Sequence, residues 1–203
     1  MYQKYPLAII LLYYEVPTEQ VWKRQQTEFR NLLSECCDYF VSWHGKLNLI
    51  VNTTEKIGAK NFCTIPAMEP CISGEFFARG MDADALLSSV LAQQIAQIRQ
   101  WDSQSFRMMP IHLVAIRQEG AEKEIGAQLP VPEKHLKRSY FTVSYRTGSG
   151  QTQKGGTEQL KVFLKRFFQE EISLPLAKMI ASKEYDTVAT PQEFFSLGGE
   201  HNV

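Results

Sequence analysis

Eight apolar residues in succession, Leu7 to Tyr14, constrain this chain more than any other feature. The run is far short of the ~20 residues that a membrane-spanning helix needs. It stops at Pro17, where a helix or a strand ladder loses a donor. Its length, that flank and its content of Ile, Leu and Tyr make it a buried central strand. A basic residue ahead of an apolar stretch also resembles the start of a signal peptide. Glu15, Val16 and Pro17 then stand where small cleavage-site residues belong, so a soluble cytoplasmic protein without membrane insertion is expected. In that compartment Cys36, Cys37, Cys63 and Cys71 are expected to be reduced thiols that hold no metal.

A chain of 203 residues buries roughly two-thirds to three-quarters of its unfolded surface, enough for one core. One domain over 1–189 is expected, followed by a short capped segment at 190–203. The 22 basic and 22 acidic residues cancel, which removes the whole-chain electrostatic case for nucleic acid or an anionic membrane.

After Pro17 the hydrophobic period changes. Trp22, Phe29, Leu32, Leu33 and Cys36 recur at threes and fours, which predicts an amphipathic helix capped by Thr18. Two β-prone stretches, 39–43 and 47–52, flank His44-Gly45 and read as a hairpin. Residues 53–80 contain Pro66, Pro70, Gly58, Gly74 and Gly80 and are expected to form an irregular connection. A long helix follows, with Leu87, Val90, Leu91 and Ile95 on one face, glutamines largely opposite and Asp82 or Asp84 as its cap. The segments 111–118 and 139–146 read as strands that could form a wide hairpin. Thr157 is expected to cap a helix, and a second one starts near Pro175, a residue suited to a first turn. The fold class expected from this pattern is α+β: a mixed or antiparallel sheet of about five strands covered by three or four helices.

Four glycines and a lysine in "YRTGSGQTQKGGTEQ" bring the chain closest to a chemical motif. A phosphate-binding P-loop needs G-x-x-x-x-G-K-[ST], but here Lys154 precedes Gly155 instead of following a glycine. The dinucleotide fingerprint G-x-G-x-x-G fails as well, because Gln153 occupies the third glycine position after Gly148 and Gly150. What remains is a generic anion site made of Arg146, Lys154, Gly155, Gly156 and Thr157 at a helix start, against the plainer reading of a flexible strand-to-helix connection. Between Glu133 and Phe168 eight basic residues face two acidic ones, which makes nucleic-acid binding through 134–166 a third reading. No paired ligand spacing, nucleophile elbow or paired-carboxylate signature assigns a catalytic residue, a metal or a cofactor.

The apolar features suggest protein contact. Phe76-Phe77 and Phe194-Phe195 are adjacent pairs beside short elements, and on a helix neighbours differ by about 100°, so one ring of each pair would be left partly outside. Thr190, Pro191 and Glu193 form a capping box that starts the turn carrying the second pair. The function expected is that of a non-enzymatic protein-binding subunit, an adaptor or chaperone-like component of a multi-subunit complex. The alternative is an enzyme or ligand-binding domain that uses the 146–157 loop for a phosphate-bearing small molecule.

Overall fold

A computed structural model of the chain describes residues 5–41, 46–55, 63–66, 74–99, 106–108, 110–118, 125, 129, 131, 133–143 and 153–182. The apolar run forms β2 (Ile9–Val16), preceded by the short β1 (Tyr5–Leu7). Every β2 residue from Ile9 to Tyr13 is fully buried, because strands pair on both of its edges and helices cover both of its faces.

Chain order then gives α1 (Glu19–Val41), β3 (Lys46–Thr53), β4 (Cys63–Pro66), β5 (Gly74–Arg79) and α2 (Ala83–Arg99). After these come β6 (Phe106–Met108), β7 (Ile111–Gln118), a 3-10 turn at Glu133–His135, β8 (Leu136–Val143) and β9 (Gln153–Gly155). The described chain closes with α3 (Thr157–Phe167), a π-helical segment (Phe168–Ser173) and α4 (Leu174–Ser182). The sheet order is β4-β5-β3-β2-β7-β8-β9. Its five longer strands, β5, β3, β2, β7 and β8, all run parallel; only the short edge strand β4 is antiparallel. The expected α+β fold with a mixed or antiparallel sheet is thus replaced by an α/β fold.

Three local corrections explain that change. Residues 39–41 end α1 and form no strand, so β2 and β3 are joined by a helical crossover where a hairpin at His44-Gly45 was expected; that turn itself lies outside the described residues. The pair at 111–118 and 136–143 is parallel, which a hairpin cannot be. The stretch 53–80 holds β4 and β5, and it leaves the sheet at Gly80, whose φ of 58° is in the region that favours glycine.

The two faces are sorted by the period-2 alternation of β2. Ala8, Ile10, Leu12, Tyr14 and Val16 face α1, α3 and the π segment through Trp22, Phe29, Leu33, Leu164, Phe168 and Ile172. Ile9, Leu11 and Tyr13 face α2 through Leu86, Leu87, Val90 and Leu91. From β2 the chain winds outward through α1 to β3 and β5, then α2 carries it back across to β7 and β8. Reversing direction under one crossover hand places α2 on the opposite face from α1. The strand order therefore reverses between β2 and β7, and the carboxyl ends of those strands mark the topological switch point.

The helix caps are local chemistry. Thr18 Oγ1 accepts from Val21 N at 3.2 Å, and Asp82 Oδ1 accepts from Asp84 N and Ala85 N at 3.0 and 3.2 Å. For α3 the cap is Gly156 in place of the expected Thr157, and the Gln159 side chain accepts the Gly156 N–H at 3.0 Å. A separate second helix starting near Pro175 is not found: Phe167, Phe168 and Leu174 keep helical backbone angles, so α3, the π segment and α4 are continuous and the proline lies within them. Just before it, Leu174 N donates to Gln169 O, five residues back, and this wider turn is the π segment. No helix of the described residues is long and apolar enough to cross a membrane.

Candidate functional site

In open parallel sheets, ligands bind outside the carboxyl ends of the strands where the order reverses. Here the described part of that edge carries paired side chains of the chain itself. Glu15 and Arg117 follow directly on the last β2–β7 register pair, Tyr14 and Ile116, and Arg117 Nε donates to Glu15 Oε2 at 2.8 Å with both side chains less than 15% exposed. Beside them Asn52 Nδ2 donates to Tyr13 Oη at 3.1 Å and to the Met81 carbonyl at 2.8 Å, fastening β3 to β2 and to the start of α2. Burial, and after it the Glu15 charge, holds the Tyr13 hydroxyl well above its ordinary pKa, so it stays protonated.

The turn from β2 into α1 is only Pro17-Thr18, with no glycine to admit a close approach of phosphate. Glu55 Oε2 accepts the Glu19 N–H at 3.3 Å, and Glu19 in turn pairs with Arg79. A carboxylate thus already lies on the positive end of α1, where an anionic ligand would have to sit. A second buried pair, Arg30 with Glu75, ties α1 to β5 further along. Among the described residues these contacts fill the start of α1 and leave no phosphate cradle there.

A separate opening lies on the α1 and α3 face. It is a groove of about 120 Å³ between the two helices. Phe29, Leu32 and Leu160 form its apolar floor together with Val143, the last residue of β8. Along one wall stand Tyr14, Gln25 and Glu28, while Gly156 and Thr157 at the start of α3 form the other. The Tyr14 and Phe29 rings are 4.4 Å apart, and Trp22 stands 5.8 Å from Tyr14, so the α1 wall is stiffened by three aromatic side chains. Tyr14 Oη donates to Gln25 Oε1 at 3.3 Å. Burial, and then the Glu28 carboxylate, pushes the Tyr14 pKa up to about 12. Glu28 is the one ionised side chain lining the groove and makes no ion pair among the described residues.

The residues singled out from the sequence are placed differently from one another. Phe76 is 3% exposed and packs beneath α2, while Phe77 is half-buried on the α1 face with Arg79 over its ring. They alternate because they lie on a strand, where adjacent side chains point to opposite faces. Phe194 and Phe195 lie outside the described residues, as does Arg146. Lys154 and Gly155 form the edge strand β9 beside β8. A Cβ on Gly155 would come within 2.4 Å of Gln159 Cβ, so this glycine serves the close packing of β9 on α3. Four of the eight basic residues of that stretch are paired: Arg138 with Glu133, Lys137 with Glu171, Lys161 with Glu35 and Arg166 with Glu170. Of its aromatics, Phe141 is fully buried and Tyr140 packs on the α2 side, so neither is a free stacking platform.

Sequence reasoning missed Glu15, Arg117, Asn52 and Glu28. Two of them had a readable signal. Glu15 is a charge placed directly after an apolar run, and Asn48 and Asn52 share one face of a strand whose other interior residues, Leu47, Leu49, Ile50 and Val51, are apolar. Comparison with protein-family models, with curated proteins and with solved structures gives no match for this chain.

Proposed function

We propose that this protein is a non-enzymatic protein-binding subunit and that the groove between α1 and α3 receives one side chain of its partner. The size and lining of the groove carry this reading. Small-molecule sites usually enclose about 300–1,000 Å³, whereas this groove of about 120 Å³ suits a single side chain. An apolar floor beneath a rim of polar groups is how the anchor pockets of protein interfaces are built. The start of α1 supports the same reading, because a nucleotide or other phosphate ligand placed there would meet Glu55 and Glu19.

Photo-crosslinking tests it. A benzophenone amino acid placed at Thr157, an exposed groove residue, is expected to give one discrete polypeptide adduct in the native host. The same probe at Lys178, on an exposed position of α4, should give none. Equal labelling from both positions, or no polypeptide adduct from Thr157, would count against a partner seated in the groove.

A further inference from the structure

Resting on that reading, we infer that the groove selects a lysine side chain of the partner polypeptide, with the ammonium held by Glu28, Gln25 and Tyr14 and the stem laid over Phe29, Leu32 and Leu160. Tyr14 O–H donates its hydrogen bond to Gln25, so the phenolic oxygen has only lone pairs left to offer. Gln25 Oε1 and the Glu28 carboxylate are acceptors too, and all three stand on one wall. An ammonium has three donors and no acceptor, which matches this wall; a carboxylate or phosphate placed against it would be repelled by the Glu28 charge.

Burying an uncharged side chain in the same place would leave Glu28 facing it without compensation. A cation satisfies the only unpaired charge among the described groove residues. The adjacent Tyr14 and Phe29 rings add cation–π attraction. At about 120 Å³ the groove has room for the five heavy atoms beyond the lysine Cα. On the opposite wall the first turn of α3 has no side-chain cap hydrogen bond, and its N–H groups can receive a main-chain carbonyl next to the inserted residue.

The test is a selection of displayed random heptapeptides on the intact protein, counter-selected on Thr157→Trp, which fills the groove mouth. The expected result is a set of groove-dependent peptides enriched in lysine at one position. Replacing that lysine with norleucine, or Glu28 with Gln, should weaken binding about tenfold. Glu28→Lys should abolish it. Both Glu28 variants alter an exposed residue and are expected to melt like the wild type. Groove-dependent peptides without a cation, indifferent to Glu28→Gln, would overturn the lysine inference while leaving the protein-binding reading intact. Finding no groove-dependent peptide would overturn the inference, and the crosslinking result at Thr157 would then decide whether the broader reading falls with it.

Discussion

Tyr13 and Tyr14 are neighbours on one strand and lie in opposite surroundings. Tyr13 points under α2 into a polar cluster whose members pair with one another: Asn52, the Met81 carbonyl, and the adjoining Glu15 and Arg117. Tyr14 points toward α1 and borders an open groove in which one carboxylate has no partner among the described residues. The first surrounding pairs the Asn52 amide N–H groups and the Glu15 and Arg117 charges internally, although Asn52 Oδ1 has no partner, and so contributes to stability. The second leaves acceptors outward, and it is the surrounding in which recognition is proposed. A strand that alternates its side chains can supply both within two residues.

The largest expected effect tests the closed side. Arg117→Ala leaves the Glu15 carboxylate nearly buried without its guanidinium, which should cost about 3–4 kcal/mol of unfolding free energy. Combining it with Glu15→Gln should recover part of that loss, because the stranded charge is gone. Urea unfolding of the two variants measures this, and a double variant no more stable than Arg117→Ala would show that the pair is not the closing element.

Acid tests the face that carries the groove. His112 is 2% exposed, its ring lies edge-on to Phe167 at 5.5 Å, and burial, then Lys137, lowers its pKa to about 4 against a weaker opposing effect of Glu171. The folded state therefore binds fewer protons than the unfolded chain between about pH 6.5 and about pH 4, so stability is full above that window and falls as the pH drops through it. A shift of that size corresponds to about 3 kcal/mol. His112→Gln should flatten the slope of unfolding free energy against pH in that range; an unchanged slope would remove His112 as its cause.

The smallest effects compare the tyrosines directly. Tyr13→Phe removes an acceptor from the buried Asn52 amide and should cost about 1–2 kcal/mol. Tyr14→Phe loses a longer, partly exposed hydrogen bond and should cost about 0.5 kcal/mol or less. Equal costs in thermal or urea unfolding would erase the distinction between the closed and open sides.

The helices were legible from the sequence because their signals are local. Thr18 and Asp82 cap as their side-chain chemistry dictates, and the apolar faces of α1 and α2 follow the helical period. Strand direction was not legible in the same way. His44-Gly45 has the residue types of a hairpin turn, yet residues 39–41 have enough helical neighbours to continue α1. The decisive clue was available in Leu7 to Tyr14: an uninterrupted apolar strand signals burial on both faces, which is the mark of a parallel sheet and not of a hairpin. The groove was illegible for a different reason. Tyr14, Glu28 and Thr157 come from three separate elements, and only the strand order β2-β7-β8 with α1 and α3 on one face brings them together.

The π segment sets one further condition on this architecture. Leu164, Phe168, Ile172 and Leu176 are all buried and lie four residues apart. In a regular α-helix that spacing overshoots a full turn by roughly 40° at each step, so the fourth side chain would have drifted about a third of the way around the axis. The wider turn at Phe168–Ser173 absorbs the drift and keeps all four in the core. What this helix holds constant is a residue count more than a residue identity. Conservative substitutions between Gln169 and Ser173 should be mild, whereas deleting one residue there would rewind the segment and swing Leu176 and Met179 out of the packing that anchors α4.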